Sequence, residues 1–187
     1  MTLYVFKNKA PQVHDSAFIA PTAQVIGDVH IRENASIWFH TVIRSDFDKI
    51  HIGCRTNIQD LCMCHVDQNV PLSIGNGVTI GHQCIVHGCT IEDNCLIGMG
   101  SIVMNKAHIG RNSIVAAGSV VLEGTCIPPF SLAAGAPAKV KKTYDNKAEI
   151  EAMVSRISDV YMKNAVDFRS EKGFHALVPL PDHEDEN

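Results

Sequence analysis

Aliphatic side chains recur every six residues along most of this chain, and few folds can accept such a period. They stand at Ile19, Val25, Ile31, Ile37 and Ile43, and a nine-residue step then leads to Ile52, Ile58 and the slot held by Cys64. After a short loop containing Pro71 the series resumes at Ile74, Ile80 and Val86. One five-residue step then opens the run Ile91, Ile97, Val103, Ile109, Val115, Val121 and Ile127. A second column, of small or β-branched residues, precedes the first: Ala23, Val29, Ala35, Thr41, Thr56, Cys62, Val78, Cys84, Thr90, Cys95, Ser101, Ala107, Ser113, Ser119 and Thr125. The offset is two residues, except for Thr90 at the five-residue step, where it is one. Glycine follows the aliphatic residue at 53, 75, 81, 98 and 110, where a turn needs positive φ or close backbone approach.

Neither an amphipathic helix nor an alternating strand has a period of six. One short strand plus one tight corner does, and three such units close a triangular coil. Stacked coils pair strand on strand while the aliphatic column fills the axis, which predicts an all-β solenoid, a parallel β-helix, over residues 1–136. In this register Cys62, Cys84 and Cys95 fall in the small column and Cys64 in an aliphatic slot. They read as buried thiols packing like small hydrophobes, against the alternative of a thiolate metal site at Cys62, Cys64 and His65. Cys54, Cys89 and Cys126 lie outside both columns.

The repeat stops at PPFSLAAGAPAKVKK, whose prolines redirect the chain and whose Lys139, Lys141 and Lys142 read as a solvated turn. Residues 137–178 then hold this turn and one helix, from Asn146 to about Asp167 with Asp145 as N-cap. Ile150, Met153, Val154, Ile157, Val160 and Tyr161 share one helix face, which is expected to pack on the outside of the prism. Residues 179–187 are an acidic tail. A net charge of −4 without a basic cluster excludes nucleic acid as a general partner. No segment reads as a signal peptide or membrane span, so a cytoplasmic protein with free thiols is expected.

The register turns three scattered histidines into a geometry. Cys64 and Val86 share a face on adjacent coils, so His65 and His87, each one residue later, stack outward about 4.8 Å apart, with Arg44 one coil earlier in the same column. His82 follows Ile80 on a different face, which also carries Gln59 and Asp60 one coil before. One prism would struggle to bring these groups together, whereas two prisms side by side would not. A head-to-tail contact between unlike faces closes as a ring, and a trimer suits a three-sided prism. Three imidazoles with open positions make a catalytic metal site. The remaining histidines, His14, His30, His40, His51, His108, His175 and His183, read as ordinary surface residues.

The segments RSD at 44–46, NIQD at 57–60, His65, and GHQCIVHG at 81–88 resemble the γ-class carbonic anhydrases, from about Pro11 through the C-terminal helix. The resemblance implies a left-handed β-helix and a homotrimer with metal at the subunit interfaces. His65 and His87 of one subunit and His82 of the next would bind zinc, or alternatively iron(II) or cobalt. It implies reversible hydration of carbon dioxide to bicarbonate by metal-bound hydroxide. Gln59 would orient the reactants, Arg44 and Asp46 would pair at the interface, Asp60 and Asn57 would fix ligand and corner, and Tyr161 would reach the pocket mouth. The chain departs from the archetype at Phe47, where the archetype has glutamate. Its loop after His65 is also shorter, VDQNVPLS, with Asp67 the sole carboxylate. The same prism also carries acyltransferases using coenzyme A, metal-dependent thioesterases and catalytically silent metal-binding homologues, and these stand as alternatives.

Overall fold

The computed structural model describes residues 2–170 and Phe174, and shows a left-handed parallel β-helix of about seven turns followed by one helix. Every member of the aliphatic series from Val25 to Ile127 is at most 2% exposed, so the column is the axis of the prism. The first face stacks Thr2–Tyr4, the start of Gln24–Ile31, the start of Val42–Ile52, Met63–His65, Ile85–His87, Ile102–Val103 and Val120–Val121. The second face runs from Gln12–Val13 to Cys126–Ile127. It joins the first through the two long strands, which bend around a corner. The third face pairs Phe18–Ile19, Ser36–Ile37, Asn57–Ile58, Thr79–Ile80, Leu96–Ile97, Ile114–Val115 and Ser131–Gly135.

The corners explain the second column. Thr41, Thr56, Cys62, Cys84, Cys95, Ser101 and Ser113 each donate a hydroxyl or thiol hydrogen to a carbonyl on the following coil: Gln59, Gly75, Gly81, Gly98, Gly110, Ala116 and Pro128. A small side chain with a donor therefore satisfies a corner carbonyl that the strand ladder leaves free. At the five-residue step the column member is Cys89, 2% exposed, and Thr90 is an exposed strand residue, which corrects the sequence-based assignment of both. The glycines after the aliphatic column serve close approach: a Cβ on Gly98 would lie 2.5 Å from Ala117 N. Left-handed φ falls elsewhere, three residues after the aliphatic position, at Asn34, His40, Arg55, Leu61, Gln83, Asn94, Lys106, Asn112 and Phe130.

The C-terminal segment departs from expectation in three ways. Lys139, Lys141 and Lys142 lie in an antiparallel strand, Ala138–Thr143, which pairs with Ser131–Gly135 and forms the sheet edge. Exposed lysines there discourage further pairing. The helix α1, Lys147–Arg169, is capped by Asn146 and not Asp145: the Asn146 side chain accepts from Glu149 N, and its amide donates to the Glu149 carboxylate. Its buried residues are Ile150, Val154, Ser158 and Ala165, with Tyr161 and Phe168 packed against the core. Met153 and Val160 are about half exposed, because a stripe repeating every three or four residues from Ile150 passes to one side of them. The acidic tail expected at 179–187 lies outside the described residues. Among those residues, no helix is long and apolar enough to cross a membrane.

Candidate metal centre

Strand register sets the histidine pair. Arg44 is paired with His65, and His65 with His87, so the three stand in one outward column of the first face. The two rings meet edge to face, with His65 Nδ1 2.9 Å from His87 Nε2 and ring centroids 4.9 Å apart. His65 Nε2 lies 2.8 Å from Asp46 Oδ1, and the other carboxylate oxygen of Asp46 accepts from Arg44. Burial works to raise the Asp46 carboxyl, but its hydrogen bond with His65 and the nearby Arg44 charge carry it below its ordinary value. The ring of Phe47 stands 6.2 Å from that of His65 and is largely exposed. On the far side, His87 Nδ1 is 2.5 Å from Asn105 Oδ1.

His82 stands on the third face, just past Ile80, which pairs with Ile58. Its Nδ1 lies 2.9 Å from Asp60 Oδ2, and its backbone N–H donates to Gln59 Oε1 at 3.1 Å. Gln59 is buried, and its Nε2 donates to Asn57 Oδ1, while Asn57 donates to Thr79 Oγ1. Asp60 also accepts the Phe39 N–H, so one carboxylate ties the corner to the histidine. The Tyr161 hydroxyl, projecting from α1, is 3.5 Å from His82 Nε2, and burial together with the Asp60 charge pushes its pKa up. A cavity of about 410 Å³ opens beside His82, lined chiefly by aliphatic groups such as Leu96, Met99, Ile114 and Ile157.

The sequence-predicted residues thus form two clusters on two faces: Arg44, Asp46, His65 and His87, and Asn57, Gln59, Asp60, His82 and Tyr161. Among the described residues of one chain, no group of three His, Cys, Asp or Glu side chains is disposed to hold a metal ion. The thiolate alternative fails on direction: Cys64 points into the axis while His65 points out, and burial pushes the Cys64 thiol up. Sequence reasoning missed Asn105. The register carried a signal for it, since Asn105 follows Val103 on the coil directly after Val86 and His87.

The family model for bacterial transferase hexapeptide repeats matches residues 88–123. A carbonic anhydrase of Geobacillus kaustophilus is 49% identical over 151 residues, spanning 80% of this chain and 83% of that protein. The mitochondrial γ carbonic anhydrase 1 of Arabidopsis thaliana is 38% identical over 174 residues, 89% of this chain, and the match spans only 63% of the plant protein's length. Among solved structures, a Bacillus cereus protein put forward as an acetyltransferase superposes with a TM-score of 0.85 at 43% identity, covering 88% of this chain and 94% of that one. A hexapeptide repeat throughout and these relatives across most of its length establish that the chain belongs to the γ-class carbonic anhydrase-like family of hexapeptide-repeat proteins.

Proposed function

We propose that the chain is a metal-dependent γ-type carbonic anhydrase that works as a closed homotrimer, with His65 and His87 of one subunit and His82 of the next gathered around one divalent ion. Zinc is the first choice, with iron(II) or cobalt as alternatives. The observation that supports this reading most is the split itself: two imidazoles in register on one face, a third on another face, and no complete ligand set within the described chain. The outward position beside His87 is taken on the next two coils by Met104 and Leu122, both exposed, as a face covered by a second copy would have it. Seven free cysteines suit a reducing compartment, and the cytoplasm is the proposed location.

The donor set fits such an ion. Neutral imidazole nitrogens are preferred ligands of zinc, and three of them leave a position open. A metal held there supplies Lewis acidity and brings the pKa of bound water toward about 7, a value taken from carbonic anhydrase itself. The protein's own part is orientation and charge. Asp60 holds the His82 ring from Nδ1. Gln59 spends one amide hydrogen on Asn57 and keeps a second for an oxygen of carbon dioxide. Arg44, fixed by Asp46, favours the bicarbonate anion. The Tyr161 hydroxyl closes the cavity mouth beside His82.

A second reading, acyl transfer or thioester hydrolysis at the same histidines, draws support from the aliphatic cavity, whose volume is in the range of small-molecule sites and exceeds what carbon dioxide needs. Stopped-flow hydration of carbon dioxide by zinc- and iron-loaded protein tests the first reading. The expected result is activity in the loaded protein and its loss in His82→Ala. Equal rates in variant and wild type would overturn the mechanism. An inactive loaded wild type that cleaves acyl thioesters would favour the second reading, and one inert to both a structural role.

A further inference from the structure

Two side chains next to the histidine pair have no part in the scheme above. Asn105 stands one coil beyond His87, and Asp67 belongs to the short loop after His65. Asp67 Oδ2 lies 2.7 Å from Asn105 Nδ2, and Asn105 Oδ1 lies 2.5 Å from His87 Nδ1. From these contacts we infer that Asn105 and Asp67 are positioning residues that lock His87 in the one tautomer able to bind a metal through Nε2. The inference rests on the metal reading of His87.

Donor and acceptor types leave little choice along this chain. A carboxylate only accepts, so the amide of Asn105 must turn its NH2 toward Asp67 and its carbonyl toward His87. That carbonyl also only accepts, so Nδ1 of His87 must carry the hydrogen. A neutral imidazole has a single N–H, and the lone pair is therefore left on Nε2. Nε2 is the atom that faces His65, 2.9 Å from its Nδ1, on the outward column of the first face. His82 reaches the same state by a shorter route, with the Asp60 carboxylate directly on its Nδ1. Ligand histidines need such partners on the second nitrogen to fix ring and tautomer.

The backbone is shaped to admit the amide. Gly88 follows His87 directly, and a Cβ there would lie 2.6 Å from Asn105 Oδ1 and 2.7 Å from Val70 Cγ1. The coils are held in place on both sides of it, since Gly88 N donates to His65 O and Lys106 N to Gly88 O. The short loop is equally specific. It doubles back through a Val70 N–H to Asp67 O bond, with Asn69 in the left-handed region, and so returns Asp67 over a residue 38 positions away. The sole carboxylate of the loop thereby acts on the ligand set from its surface side.

The test combines zinc affinity, measured by chelator competition, with nitrogen-15 NMR of the histidine rings in the metal-free protein. Wild type is compared with Asn105→Ala, Asp67→Ala and the double variant Asn105→Asp with Asp67→Asn, all checked for unchanged thermal unfolding. Asn105→Ala is expected to weaken zinc binding about 10–100-fold and to release His87 into a mixture of tautomers. Asn105→Asp, made together with Asp67→Asn so that an amide and not a second carboxylate faces it, still accepts from Nδ1 and should restore both readouts. Asp67→Ala should fall between, because the amide is then free to turn. Equal zinc affinity in wild type and Asn105→Ala, or a wild-type His87 protonated on Nε2, would overturn this inference alone. A wild type that takes up no zinc would overturn the metal reading and this inference with it.

Discussion

Cys95 and Cys64 are both buried thiols, yet the register gives them different work. Cys95 donates to the Gly110 carbonyl at 3.2 Å, as Ser101 and Ser113 do to their own corner carbonyls, whereas Cys64 points into the aliphatic axis. Burial pushes the Cys95 and Cys89 thiols up to about 12 and raises Cys64 further, so all three remain packing groups. Cys95→Ser should therefore change stability by less than about 1 kcal/mol, because the donor is kept. Cys64→Ser should cost about 1–3 kcal/mol, because a hydroxyl on the axis has no acceptor. Urea unfolding of the two variants checks the contrast. At this scale the sequence was legible in kind but not in detail. A column mixing Ala, Ser, Thr and Cys reads as small, and its hydrogen bonding emerges only when the corner of the next coil is in place. Cys89 and Thr90 exchanged roles because a five-residue step leaves the local offset ambiguous.

Helix α1 lies against the third face through an aromatic cluster. Trp38 meets Phe18 at 5.1 Å, Phe168 at 5.1 Å and Tyr161 at 5.4 Å between ring centroids. Arg55 pairs with Asp159, and Arg169 donates to the carbonyls of Ser16 and Asp15, so polar contacts hold the helix beside the same coils. Phe168→Ala should cost about 1–3 kcal/mol, since the ring is only partly buried. Because Trp38 is the sole tryptophan, its emission should move to longer wavelength as the cluster opens to water. Unchanged emission would mean that the helix is not docked through these rings. The helix and its approximate limits were readable from three- and four-residue spacings. Its buried stripe was less so, since Ser158 and Ala165 occupy it while Met153 and Val160 are exposed, and small residues win where the helix approaches a flat sheet face closely.

Taken as a whole, the prism was the most legible feature, because a period of six admits one arrangement of strand and corner, and the axis it builds excludes water throughout. The division of the histidines between two faces followed from the same count. Their proposed joining into one site is a separate matter, because it would depend on how copies meet. Subunit mixing addresses that central claim directly. His82→Ala and His65→Ala are each expected to lack bound metal and carbon dioxide hydration when pure. Co-assembled in equal amounts, they should regain metal at about one interface in four, since in a closed ring an intact His65 and His87 pair then meets an intact His82 from its neighbour. A mixture that stays as empty and inactive as its parents would contradict the shared site.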